Sequence, residues 1–323
     1  MPMPPDATPP MPIAPFAPPV SIVLLTLNGM PEIEHTLDMI ARQCYEGPME
    51  VVHIDSGSTD ETLGLTRHHG IATHSIAPAD FHHGRTRNLG ASMAGHEIVV
   101  FISQDAVPAT EHWLAQLVAP FADARVAAVH GRQIAPPGTG PLRTYAMEWT
   151  YGAQREERRL EDIPRLTIGS YRFSNANAAF RRGHVCRIRF DEIAPMCEDQ
   201  AMCRALLHEG FTVVYEPAAA VYHAHERSFW EEFTWAADNG VALRRIGLLG
   251  DPRLQGEFRY GLRRMIDEFG HFMLRGRPIL AGRSVAINIA KWLGVQLGKR
   301  EHQLPRGLMR RVSPIIQRET AQE

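Results

Sequence analysis

Four short polar clusters hold the side chains in this sequence that could do chemistry: Asp55-Ser56-Gly57-Ser58-Thr59-Asp60, Ser103-Gln104-Asp105, Glu198-Asp199 and His223-Ala224-His225. Carboxylates and imidazoles hold divalent cations and move protons near neutral pH. A loop of serines around a glycine adds free backbone N–H groups. Three of the clusters follow directly on apolar runs that read as strands, and the fourth opens a helix. Ligands of open α/β sheets bind in the crevice at the C-terminal strand ends, so four such clusters on one face would line a common cleft. Asp105 is the leading candidate, because the apolar run Ile98-Val99-Val100-Phe101-Ile102 stops just before it at Ser103-Gln104.

Each cluster also has a plainer reading. Asp55 and Asp60 suit loop and helix-cap positions, and Glu198-Asp199 complements a helix dipole. Trp230 and Trp235 suit a core better than a sugar platform. Of His223 and His225 only one is expected at a site, the other being a surface or structural residue. Coincidence of all these groups at one sheet edge favours the functional reading.

The elements that must position them repeat one pattern: strand, polar loop, helix. Residues 20–27 read as a buried strand ended by Asn28-Gly29, and residues 31–43 as the helix after it, with Ile33, Leu37 and Ile40 inward. Residues 49–54 and 71–76 are further strands, separated by a helix over 61–69 that Gly70 closes. A short helix over 87–94 leads into the 98–102 strand, a helix over 112–121 leaves it, and 126–134 is another strand. This alternation predicts a doubly wound, mostly parallel sheet with right-handed crossovers. Arg87 and Asn88 would open their helix, where positive charge and free N–H groups suit a diphosphate. Beyond it, residues 173–181 read as a strand crossing the face of the first sheet, 198–210 as a helix, and 212–215 and 218–222 as strands. Residues 145–172 have no clear period, and from 229 onward the pattern is helical, amphipathic and basic over 259–275 and 283–298.

Composition narrows the classes. A chain of 323 residues can bury a large core without disulfides, and a net charge of −2 argues against a nucleic-acid binder. Four cysteines without CxxC spacing fit a reducing, cytosolic compartment. No apolar run reaches the length of a bilayer span. Nine prolines among the first 20 residues, with no basic segment, suggest a disordered leader over residues 1–18 and not a signal peptide. The basic C-terminal part suits phosphates or an anionic membrane surface.

Five motifs, in order, carry a resemblance: DSGSTDET at 55–62, FHHGRTRNLGA at 81–91, FISQDAVP at 101–108, FSNANAAFRR at 173–182, and CEDQAMCRALLHEG with YEPAAAVYHAH across 197–225. Over residues 21–240 the chain resembles the family 2 glycosyltransferases of the GT-A fold, in particular their bacterial rhamnosyltransferase-like branch. The resemblance implies a GT-A nucleotide-diphospho-sugar transferase domain over 19–226 and a helical, basic extension over 227–323. It implies an inverting, metal-dependent hexosyltransferase using a nucleoside diphosphate sugar, dTDP-L-rhamnose foremost, and a surface-polysaccharide or lipid-linked glycan acceptor. That enzyme would work in the cytoplasm, at the inner face of the membrane. Asn28, Asp55, Arg87, Asn88 and Gln104 would bind the donor, with Asp55 on the base. Asp105 and His223 would hold Mg2+ or Mn2+, and Asp199 would be the catalytic base. Ser103 stands where the family's first metal-binding acid usually is, which leaves a catalytically silent nucleotide-sugar-binding module as the competing reading. A sugar nucleotidyltransferase is disfavoured, because Asn28-Gly29-Met30-Pro31 has no basic residue to grip a triphosphate.

Overall fold

The computed structural model describes residues 16–254 and 257–317. Nine strands build its sheet: β1 (Val20–Thr26), β2 (Met49–Asp55), β3 (Thr73–Ser75), β4 (Ile98–Ser103), β5 (Val107–Pro108), β6 (Val126–Ile134), β7 (Glu156–Arg158), β8 (Asn177–Arg181) and β9 (Thr212–Tyr222). The helices are α1 (Glu32–Ala41), α2 (Thr62–His68), α3 (His83–Met93), α4 (Trp113–Val118), α5 (Pro141–Thr150), α6 (Arg182–Ile188), α7 (Glu198–His208), α8 (Phe229–Arg245), α9 (Glu257–Leu274), α10 (Pro278–Lys299) and α11 (Arg306–Val312). The leader expected over residues 1–18 lies, up to residue 15, outside the described residues.

The apolar runs of β1 and β4 are buried along nearly their whole length, which only the interior of a sheet covered on both faces allows. The strands β3, β2, β1 and β4 are parallel neighbours, as the alternation predicts. Past β4 the sheet is mixed: β8, β5 and β7 pair antiparallel, while β6 and β9 are again parallel neighbours, so the sheet is mostly parallel as expected. The strand expected to cross the sheet face is β8, which instead lies within the sheet, antiparallel between β4 and β6. Ala178, Ala179 and Phe180 are fully buried there, and Asn177 binds both ways: its Oδ1 accepts Trp113 Nε1 at 2.9 Å and its Nδ2 donates to Ala219 O at 2.8 Å. The two runs read at 212–215 and 218–222 are the single strand β9, broken by a register jump that leaves residues 217–219 bulged against β6.

One core packs α1 and α4 on one sheet face, around Ile33, Leu37, Trp113 and Leu117. The other packs α3, α6 and α7 on the opposite face, around Phe101, Phe180, Phe190 and Leu206. The C-terminal helices form a further layer in which α8 and α10 touch backbone to backbone. A Cβ added at Gly298 would lie 2.0 Å from Ala237 O, and one at Gly294 2.5 Å from Phe233 O. Trp230 and Trp235, expected in a core, are 56% and 39% exposed, because α8 turns its small residues, Ala236, Ala237 and Gly240, inward instead. Among the described residues no helix is long and apolar enough to cross a membrane.

Candidate active site

The ends of β1 and β4 open into a cleft. Leu25, Thr26 and Leu27 form its floor, Phe81, His83 and Arg87 one wall, and Gln104, Asp105 and Asn175 the other. Gln104 holds the two strand ends together: its Oε1 accepts Leu27 N at 2.9 Å and its Nε2 donates to Leu27 O at 3.2 Å.

Asp55 closes β2 below this cleft and is 1% exposed. It accepts the amides of Gly57 and Ser58 and the hydroxyls of Thr26 and Ser58. Burial pushes its pKa up, but these bonds outweigh burial and hold it below the ordinary value. Three of these donors come from its own loop and the fourth, the Thr26 hydroxyl, from β1, so the carboxylate orders the strand ends beside the cleft. That loop is laced to the turn after β1: Asn28, in the left-handed region at φ 47°, accepts Thr59 N at 2.8 Å and donates its own amide to Ser58 Oγ. Asn28 stands at the exposed rim, outside the cleft lining.

The helix carrying Arg87 and Asn88 starts four residues earlier than expected, at His83, with His82 as its cap. Both residues sit in its second turn, where their amides are bonded within the helix, so neither offers a free N–H to a diphosphate. Asn88 is 5% exposed and pins a remote loop, accepting Phe190 N at 2.8 Å and donating to Glu192 Oε1 at 2.8 Å; it does not line the cleft. Arg87 does line it, with Nη1 2.6 Å from Glu198 Oε1.

Glu198 and Asp199 start α7 from Cys197, held at φ 66°, a strained value for a residue with a side chain. Glu198 is 4% exposed, and besides Arg87 it accepts Asn175 Nδ2 at 3.2 Å. Asp199 Oδ2 accepts the backbone amide of that same Asn175 at 3.3 Å, which ties the carboxylate to the cleft wall. Burial, then the charge of Glu198, push the pKa of Asp199 up to about 7, against the pull of Arg87. Asn175 was not singled out in the sequence. It is 2% exposed, and its Oδ1 is buried with no hydrogen-bond partner, an acceptor free for a substrate hydroxyl.

Across the cleft mouth Asp105 faces two imidazoles, with Oδ1 3.4 Å from His223 Nε2 and Oδ2 3.5 Å from His225 Nε2. One ligand atom from each of the three can lie within 4.8 Å of the others. Both histidines reach the carboxylate, not one alone: they are two residues apart, and in extended chain side chains at that spacing share a face. Gln133 is the second residue that sequence reasoning missed. Its Nε2 donates to Ser174 Oγ at 2.8 Å and its Oε1 accepts from His223 Nδ1 at 2.9 Å, which leaves Nε2 of His223 as a lone pair aimed at Asp105. A carboxylate and oriented imidazole lone pairs converging in this way fit a divalent cation. The mixed N and O donor set suits Mn2+ better than Mg2+, which prefers oxygen.

The comparisons agree with this geometry. The model of the family "Glycosyl transferase family 2" matches residues 21–185. The chain is similar to the O-antigen chain rhamnosyltransferase RfbN of Salmonella typhimurium, at 32% identity across 88% of this chain and 91% of that one. It is also similar to the O-antigen chain rhamnosyltransferase WbaN of Salmonella anatum, at 32% identity across 80% and 82% of the two. In fold it resembles the mannosyltransferase PcManGT of Pyrobaculum calidifontis, solved with GDP-Man and Mn2+ (TM-score 0.54, 23% identity, 85% of this chain and 76% of that one). S. aureus TarS in complex with UDP is a second such structure (TM-score 0.50, 16% identity, 88% and 91%). A cleft at the strand ends, an acid of raised proton affinity tied to its wall through Asn175 and matches of this extent lead to one conclusion: the chain is a glycosyltransferase of family 2, with the GT-A fold.

Proposed function

We propose that this glycosyltransferase transfers L-rhamnose with inversion from dTDP-L-rhamnose to a hydroxyl of a surface polysaccharide built on a lipid-linked acceptor. The observation that supports the reading is the tie between Asp199, a carboxylate of raised proton affinity, and Asn175, which lines the cleft that ends in Asp105. An acceptor hydroxyl is a poor nucleophile near neutral pH. Asp199 takes its proton as the oxygen attacks the anomeric carbon, and the bond from that carbon to the diphosphate oxygen breaks on the opposite side. A single base and in-line displacement give inversion. Asn175 Oδ1 orients a sugar hydroxyl beside the reacting centre, and Gln104 keeps the floor of the cleft at fixed width. Asp105, His223 and His225 would hold Mg2+ or Mn2+, which neutralises charge on the leaving diphosphate. Here His225 takes the place of the acid that Ser103 lacks. The rhamnosyl donor and the polysaccharide acceptor are supported by the names of the two Salmonella relatives.

We place the enzyme in the cytoplasm at the inner face of the membrane, docked through α9 and α10. Leu262, Ile266, Phe269 and Met273 form an exposed apolar stripe on α9, and Ile279, Ile289 and Leu293 another on α10. Nine Lys and Arg against two acids between Arg259 and Arg300 complement anionic headgroups.

A panel of nucleotide sugars tests the donor. Release of dTDP from dTDP-L-rhamnose, dependent on added glycan and on Mn2+, is the expected result. Faster release of UDP or GDP from another donor overturns the rhamnosyl assignment.

A further inference from the structure

Beside the cation group, α5, α8, α9 and α10 line a second recess that shares no lining residue with the cleft. Five cations line it: Arg143, Arg227, Arg264, Arg283 and Lys291. Its three carboxylates are already engaged. Glu232 is ion-paired with Lys291, at 3.0 Å, and with Arg143, at 3.9 Å, while its buried Oε2 accepts no hydrogen bond. Glu226 accepts the amide of Gly140, and Glu268 accepts Asn288 Nδ2. Three buried guanidinium nitrogens, Arg143 Nε, Arg227 Nη1 and Arg264 Nε, have no hydrogen-bond acceptor. Burial lowers the proton affinity of Lys291, against the pull of Glu232. Four half-buried cations and the exposed Arg283 outnumber the three carboxylates, and with idle donors among them they match an anion of more than one charge that accepts from several guanidinium forks at once. The charges of Arg143 and Arg227 also reach His225, so the recess adjoins the reacting centre. Its α9 and α10 walls carry the exposed apolar stripes on their outer sides, the setting for a ligand that is part anion and part hydrocarbon.

We propose that this recess binds the phosphate or diphosphate of an amphiphilic acceptor, holding the glycan beyond it against the cleft. The inference rests on the glycosyltransferase reading with a lipid-linked acceptor. Sodium pyrophosphate is the probe, titrated calorimetrically with dTDP present so that the donor site is filled. Arg283→Gln, at an exposed position, and Arg264→Gln should each weaken pyrophosphate binding about tenfold while dTDP affinity stays within twofold. In transfer assays the ratio of kcat/KM for a glycan on a short prenyl diphosphate to that for its methyl glycoside should fall about tenfold in each variant. Equal losses of dTDP and pyrophosphate binding would assign the recess to the donor and overturn the proposal. So would an unchanged acceptor ratio, or displacement of pyrophosphate by phosphatidylglycerol vesicles free of acceptor, which would make the ligand a phospholipid headgroup. Transfer to neither acceptor by wild type, with pyrophosphate still bound in the recess, would instead remove the lipid-linked acceptor reading and leave the anion site standing.

Discussion

Asp199 carries two opposite consequences of one perturbation. As a base it must be ionised, so kcat/KM should fall as pH drops through about 7, where its proton affinity lies. Glu198 is the second cause of that shift, so Glu198→Gln should move the acid limb to lower pH, read from pH–rate profiles. Asp199→Asn should lower kcat by about 10² to 10⁴ with dTDP affinity unchanged in calorimetry. Its effect on stability runs the other way. The folded carboxyl, with its pKa raised, binds more protons than the unfolded one between about pH 4 and 7, so stability falls as pH rises through that window and stays reduced above it. The Asn variant escapes this penalty and should melt above wild type at pH 8, with the difference vanishing toward pH 4. At the cation group, His225→Ala and Gln133→Leu should each weaken Mn2+ binding about 10- to 100-fold, measured by electron paramagnetic resonance without donor. Strand-end logic was enough to pick out Asp105 and His223, whereas Asp199 was marked by the acid pair that opens a helix and by the family resemblance. Asn175 and Gln133 were hidden because their roles come from hydrogen bonds across distant segments, and no local pattern marks them.

Elements with a strong period were legible, and those defined by partners were not. β1, β2, β4, β6 and α7 lie where their apolar runs and closing glycine put them. The start of α3 was missed because its cap is a histidine, and Gly84 in its first turn looks like a breaker. That glycine is there because Asp191 O would sit 1.8 Å from a Cβ at this position. The exposure of Trp230 and Trp235 has the same origin: α8 meets α10 through glycines and alanines, a choice that composition alone does not reveal. Gly298→Ala forces a methyl into Ala237 O and should separate the two helices. The expected outcome is a loss of about 2 kcal/mol or more, seen in urea unfolding, with amide-exchange protection lost in α8 and α10.

At the scale of the whole molecule, the two helical stripes and their arginines form a single face. Binding to vesicles containing phosphatidylglycerol should be measurable by sedimentation and should weaken with added salt. Arg275→Glu with Arg277→Glu should reduce it by about tenfold or more, at roughly 1 kcal/mol per charge. Ile266→Glu with Ile279→Glu should reduce binding even at low salt, since both side chains are well exposed on that face. The place of β8 bears on how the protein is made. During synthesis the ribosome delivers β4 and β6 well before residues 177–181, yet those residues are what joins them. A nascent chain that stalls before β8 carries two bare, apolar strand borders, so its first half should depend on chaperones and clump when expressed as a fragment.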